Sequence, residues 1–311
     1  MNITILGCGV YGSAIASVLL ENKTNVTMWN KFEKEINELK NKYNSINFTT
    51  NIEKAIENTD LIIIAIPVNF IESTIKELKP FYQDQDILIA SKGIDTINNK
   101  FAYEIVKDTL NTENIGVISG GSFAIDMQNK KVLGLTLGTT IPSIKTKVKQ
   151  CLENNYIKIQ YTNDYIGVSI CGSIKNVMAI GFGILDGANY PESSRFLFLT
   201  EAIYEIKKLI KELNGNEETI MTYAGIDDIM MTCTSQKSRN YTLGRLLGEN
   251  KPSKEIEEYK NNTTIEGLGT SLSIYKLTKE KNIYLPITNI IYNILYENQN
   301  FNTLIEYLKN L

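Results

Sequence analysis

Lys175 stands in the run Ile170-Cys171-Gly172-Ser173-Ile174-Lys175-Asn176-Val177-Met178-Ala179-Ile180, whose other members are mostly apolar or small. A lysine inside such a helix loses hydration of its ammonium, which disfavours the charged form and brings the pKa toward the range useful for proton transfer. The competing account is a lysine that lays its stem along apolar surface and lets the ammonium reach water, the commoner fate of a lone lysine. Composition sharpens the first account. The chain contains no histidine, so acid–base chemistry near neutral pH must come from a carboxylate, a tuned lysine, a tyrosine or a cysteine.

A second concentration of polar groups is Asp227-Asp228, followed by Ile229-Met230-Met231-Thr232-Cys233 and then by Ser238-Arg239-Asn240. Paired aspartates before an apolar run can simply cap a helix. Arg239 carries more information, because its fixed fork of donors suits a phosphate or a carboxylate, and Ser238 and Asn240 add hydrogen-bonding groups near a predicted helix start. Arginine is also scarce: Arg195, Arg239 and Arg245 are the only three among 32 basic residues.

Gly7-Cys8-Gly9-Val10-Tyr11-Gly12 has the G-x-G-x-x-G spacing between the strand-like Ile3–Leu6 and the helix-like Ser13–Leu20. In that context Gly7 permits a tight turn, Gly9 lets the backbone approach a pyrophosphate, and Gly12 lets the helix pack closely on the strand, with the helix N-terminus favouring negative charge. A ribose-binding acid is expected about 20 residues on, and here the second strand ends Trp29-Asn30-Lys31. Without an acid there to repel a 2′-phosphate, and with Lys31 to attract one, NADPH is expected to be accepted at least as well as NADH. The carboxyl ends of later strands place Ile66-Pro67-Val68-Asn69, Ser91-Lys92-Gly93 and Ser119-Gly120-Gly121-Ser122-Phe123-Ala124 in the same crevice. Each of these segments alone also reads as an ordinary turn.

The elements that must hold these residues change character along the chain. Up to about Thr162, β-branched runs (Ile3–Leu6, Val26–Trp29, Leu61–Ile66, Ile87–Ala90, Ile115–Ser119, Val132–Leu137, Ile157–Gln160) alternate with helix-like segments, which predicts an α/β, Rossmann-type doubly wound and largely parallel sheet. Leu61–Ile66 is apolar throughout and should be central. After Asp164 the strand signals stop, and Arg195–Leu213 and Thr270–Lys279 show three- and four-residue spacing. The 311 residues are therefore expected to form a dinucleotide-binding domain over 1–163 and an all-helical substrate-binding and catalytic domain over 164–311. The hydrophobic share of 43% and charged share of 22% are those of a globular protein. The net charge of −3, with no basic face, argues against a nucleic-acid partner. No unbroken apolar run predicts a membrane span, no leader precedes the first strand, and the scattered Cys8, Cys151, Cys171 and Cys233 suggest neither metal nor disulfide. A cytoplasmic location and no bound metal are expected.

The ordered set of landmarks resembles the bacterial-type NAD(P)-dependent glycerol-3-phosphate dehydrogenase family over nearly the whole chain. They are the glycine motif, Ser91-Lys92-Gly93, Ser119-Gly120-x-Ser122-Phe123-Ala124, Ile174-Lys175-Asn176-Val177-x-Ala179, Asp228 with Thr232-Cys233, Ser238-Arg239-Asn240 and Glu266-Gly267. The resemblance implies a Rossmann domain followed by a helical one and a small phosphorylated three-carbon substrate. It implies that glycerol 3-phosphate and dihydroxyacetone phosphate are interconverted, supplying phospholipid synthesis. It makes Lys175 the general acid/base, with Asp228 and Lys92 assisting, and puts Lys92, Gly120, Ser122, Lys175, Asp228, Ser238, Arg239 and Asn240 around the substrate. Beside the glycines, it turns Val10, Tyr11, Lys31, Lys92, Ala124, Arg239, Thr264 and Glu266 to the NAD(P)H cofactor. Gly121 replaces the family's usual proline, Asp227 its usual glycine, and Tyr241 a commonly basic residue. The helical half also offers a surface for a homodimer. A lysine-dependent 3-hydroxyacid dehydrogenase, a ketopantoate reductase and a nonenzymatic NADPH-binding redox sensor are the competing functions.

Overall fold

Leu61–Ile64 is buried at all four positions and lies inside an eight-stranded sheet, as an apolar run covered on both faces requires. A computed structural model of the chain describes residues 1–311. Its strands are β1 (Asn2–Leu6), β2 (Asn25–Trp29), β3 (Ile46–Thr49), β4 (Leu61–Ile64), β5 (Asp86–Ile89), β6 (Ile115–Ser119), β7 (Leu133–Gly138) and β8 (Ile157–Thr162), in the order β3-β2-β1-β4-β5-β6-β7-β8. Neighbours are parallel except β6 and β7, which run antiparallel.

The strand order reverses between β1 and β4, so the ends of these strands form the crevice where a doubly wound sheet takes its ligand. The sequence omits β3: it is an edge strand with only Ile46 buried, and its Asn and Thr residues read as loop. Seven helices accompany the sheet: α1 (Val10–Glu21), α2 (Glu33–Lys40), α3 (Ile52–Ile56), α4 (Ile71–Leu78), α5 (Ala102–Leu110), α6 (Ala124–Gln128) and α7 (Pro142–Leu152). Ala14, Ile15, Val18 and Leu19 of α1 join Ile3, Ile5, Ile63, Leu135 and Val148 in one core cluster. That packing fixes the glycine turn at the head of α1.

Eight helices follow: α8 (Tyr165–Gly187), α9 (Glu192–Glu212), α10 (Asp228–Thr234), α11 (Arg239–Gly248), α12 (Ser253–Asn262), α13 (Glu266–Glu280), α14 (Pro286–Tyr296) and α15 (Asn302–Lys309). The chain divides into two compact units, Met1–Lys92 with Phe101–Ser169, and Gly93–Lys100 with Ile170–Leu311. The division falls within α8, a few residues beyond the change of periodicity in the sequence. By length and composition α8 is apolar enough to cross a membrane, yet its apolar window is wholly buried, which makes it the core helix of the second unit.

Within that unit α8 and α11 meet backbone to backbone. A Cβ on Gly183 would lie 2.2 Å from the Tyr241 carbonyl oxygen, and one on Gly244 would lie 2.0 Å from that of Ile180. Side chains at these positions would force the helices apart, and with them Lys175 on α8 and Arg239 and Asn240 on α11. Gly244→Ala is therefore expected to destabilise the protein by about 1–3 kcal/mol, the usual scale for overpacking. A lower urea midpoint with an unchanged slope would register it.

Candidate active site

Lys175 is 7% exposed and Asp228 is fully buried. The Lys175 ammonium donates to the Asp228 carboxylate and, at 3.1 Å, to Thr232 Oγ1. Thr232 lies one helical turn beyond Asp228, and its hydroxyl donates to the Asp228 carbonyl oxygen at 2.6 Å. The alternative of a lysine reaching out to water is thus excluded; this ammonium is held inside.

The backbone before α10 explains how Asp228 reaches it. Tyr223–Asp227 forms a π-helical turn in which Gly225 leaves helical geometry at φ −89°, ψ −106°. A Cβ on Gly225 would fall 2.1 Å from the Ile220 carbonyl oxygen. Asp227 occupies the N-cap position of α10 but makes no side-chain cap hydrogen bond, so helix capping does not account for the aspartate pair. Cys233, fully buried beside this pair, is an inert thiol: burial pushes its pKa far up.

The residue after Lys175 begins a buried polar network. Asn176 Oδ1 accepts from Asn240 Nδ2 at 2.8 Å, Asn240 Oδ1 accepts from the Gly267 amide at 2.9 Å, and Asn176 Nδ2 donates to Glu266 Oε2 at 3.0 Å. α8, α11 and the start of α13 are tied together by these bonds. Ser238 caps α11, its hydroxyl accepting from the Tyr241 amide at 3.3 Å. Arg239, the first residue of that helix, is exposed and its guanidinium enters none of the chain's ion pairs, so a free cation stands where the helix already favours an anion. Tyr241 is 5% exposed and its hydroxyl donates to Asp186, which also pairs with Arg195. Its place in the second unit is thus a structural one. Thr264 is exposed just ahead of α13.

In the first unit, Gly7 has φ +120°, and a Cβ there would meet the Ala65 carbonyl oxygen at 2.6 Å; one on Gly12 would meet the Gly7 carbonyl oxygen at 2.3 Å. Gly9, by contrast, faces open space. The N-terminus of α1 has no side-chain cap and no acid in its first turn, leaving its backbone N–H groups to an anion. A pyrophosphate fits that geometry. Val10 beside it is 74% exposed.

Tyr11 Oη and Ser122 Oγ lie 3.2 Å apart, Ser122 donates to the Gly120 carbonyl oxygen at 3.3 Å, and Lys92 Nζ is 3.5 Å from that same oxygen and 5.9 Å from the Tyr11 ring centre. Gly120 is buried against β7, where a Cβ would lie 2.3 Å from the Gly134 carbonyl oxygen. Ala124 opens α6. Lys31 stands apart, 62% exposed and 3.8 Å from Glu77. Burial first, then the nearby Glu35 carboxylate, push the Cys8 thiol up to about 12.

Sequence reasoning did not single out Thr232 and Asn176 as site residues. The four-residue spacing of Thr232 from Asp228 and the adjacency of Asn176 to Lys175 were the available signals, but each has meaning only once the Lys175 partner is known.

Two family descriptions match the chain: NAD-dependent glycerol-3-phosphate dehydrogenase N-terminus over residues 2–144 and C-terminus over residues 164–306. The glycerol-3-phosphate dehydrogenase (NAD(P)+) of Staphylococcus epidermidis is 31% identical over 312 residues, covering 95% of this chain and 93% of that protein. That of Staphylococcus carnosus is also 31% identical, with the same coverage. Among solved structures, glycerol-3-phosphate dehydrogenase from Coxiella burnetii superposes with a TM-score of 0.91 at 26% identity, covering 100% of this chain and 99% of that one.

Removing the charge of Asp228 leaves a buried ammonium without its counter-ion, a change that costs about 3–5 kcal/mol. Asp228→Asn is expected to lower the thermal midpoint markedly, and by more than Asp227→Asn at the exposed neighbouring position, which calorimetry of the two variants checks.

Proposed function

The chain belongs to the NAD-dependent glycerol-3-phosphate dehydrogenase family, and on that premise we propose how its own residues interconvert sn-glycerol 3-phosphate and dihydroxyacetone phosphate. The observation that carries the proposal is the buried Lys175 ammonium held by Asp228 and Thr232 in a chain without histidine. When bound, the nicotinamide dinucleotide supplies or accepts the hydride at C4 of its ring. Lys175 exchanges the proton: it gives one to the ketone oxygen in the reductive direction and takes one from the secondary alcohol in the other. Asp228 and Thr232 hold Lys175 in place, and Lys92 helps polarise the carbonyl.

Arg239 binds the phosphate, with Ser238, Asn240, Gly120 and Ser122 as further substrate contacts. The exposed, unpaired guanidinium at the head of α11 supports the clamp. Binding energy from the non-reacting phosphate then contributes to orienting the reacting carbon. Residues 1–163 form the dinucleotide-binding domain and 164–311 the helical substrate-binding and catalytic domain, each lending residues to the other's ligand. Gly7, Gly9 and Gly12 shape the pyrophosphate turn, and Val10, Tyr11, Lys31, Lys92, Ala124, Arg239, Thr264 and Glu266 complete the cofactor contacts. The exposed Lys31 ammonium just past the end of β2 supports acceptance of NADPH at least as well as NADH. The enzyme works in the cytoplasm and supplies glycerol 3-phosphate for phospholipid synthesis. Exposed Phe196, Leu197 and Tyr204 on α9 support a homodimer through the helical half.

Oxidation of NADPH with dihydroxyacetone phosphate tests these roles. Lys175→Ala is expected to lower kcat by about 100-fold or more, the scale of general acid–base catalysis, while NADPH still binds; retained turnover removes Lys175 from the role. Arg239→Ala is expected to raise KM for dihydroxyacetone phosphate by about tenfold or more, as loss of a charge-assisted clamp implies. An unchanged KM would count against the clamp.

A further inference from the structure

The acid missing from the end of β2 is supplied by the next helix. The Gly7 amide donates to the Trp29 carbonyl oxygen at 2.9 Å, which sets the end of β2 beside the glycine turn. Asn30, the next residue, is 7% exposed. Its side-chain amide donates to Glu35 Oε2 at 2.7 Å and to the Phe32 carbonyl oxygen at 3.1 Å, so both of its protons point at the start of α2. Glu35 itself is exposed, so its carboxylate is anchored on one side and open to solvent on the other. Its field reaches into the glycine turn at Cys8. Lys31 leans instead toward Glu77 on α4, at 3.8 Å, with both side chains largely in water.

An oxygen acceptor anchored at the end of the second strand is what a Rossmann-type site uses to hold the adenosine ribose. Here the acid comes from a position five residues past the usual one and is presented through an asparagine. We infer that Glu35, held by Asn30, reads the sugar of the cofactor: it accepts a ribose hydroxyl of NADH and opposes the 2′-phosphate of NADPH, against the attraction of Lys31. Cofactor choice then follows the balance of these two opposite charges at one strand end. Losing the carboxylate strengthens the phosphorylated cofactor, and losing the lysine weakens it. Both charges are exposed, so their effects are moderate and fall with salt. The inference rests on the reading that the dinucleotide lies over the glycine turn.

Equilibrium titration of NADH and NADPH by nucleotide fluorescence at low salt provides the test, with kcat/KM for both cofactors as a second readout. Glu35→Gln keeps the side chain's size and its ability to accept from Asn30. It is expected to tighten NADPH and weaken NADH so that the ratio of their Kd values moves about tenfold toward NADPH, equivalent to about 1.4 kcal/mol. Asn30→Ala, which frees Glu35, should move the ratio the same way by less, and Lys31→Gln should move it the opposite way. Two bound cofactors with an unchanged ratio in Glu35→Gln would overturn the inference and leave the glycine-turn reading intact. Failure of both cofactors to bind the unaltered protein would overturn the two together.

Discussion

One charge inside the helical unit dictates much of what surrounds it. Lys175 sits on a helix buried on every side, and an ammonium there without a partner is costly enough to unfold a marginally stable protein. α8 itself carries no acid within a turn of Lys175 to act as the partner. The partner is Asp228 on α10, brought in by a π-helical turn whose Gly225 accepts a backbone approach that a side chain would block. Thr232 accepts one more ammonium proton while its own hydrogen goes to the Asp228 carbonyl oxygen. The Lys175 ammonium is thus fixed in place by electrostatics and not by exposure.

The same accounting of polar groups shows which side chains already have partners within the protein. The side-chain amides of Asn176 and Asn240 are committed to each other, to Gly267 and to Glu266, and the hydroxyl of Tyr241 is committed to Asp186. Arg239 has no such commitment, although it lies between the capping Ser238 and the committed Asn240. A buried network that satisfies its own members holds α8, α11 and α13 rigidly, and a free guanidinium at its margin gains a defined position from that rigidity.

The first unit solves the complementary problem of keeping donors open. Gly7 and Gly12 are forced by the absence of room for a Cβ, whereas Gly9 faces space. The head of α1 carries no cap and no acid, so negative charge is favoured there. The end of β2 lies alongside, tied to Gly7 through the Trp29 carbonyl oxygen.

Much of this was legible in the residues themselves. The alternation of β-branched runs, the apolar Leu61–Ile64 and the glycine spacing are local patterns, and they determined the α/β sheet, its central strand and the turn at the head of α1. The missing histidine and the apolar setting of Lys175 pointed to that lysine for the same local reason. Pairing across the chain was not legible. Edge strand β3 offers only one buried residue, and the antiparallel β7 looks like its parallel neighbours because strand direction leaves no mark on composition. The sequence left Lys175 a choice between water and the interior; only tertiary structure decided it, by bringing Asp228 and Thr232 within reach from 53 and 57 residues away. It likewise returned an acid to the end of β2 through the Asn30–Glu35 contact. Spacing reports periodicity within one element, whereas a charge finds its partner in three dimensions.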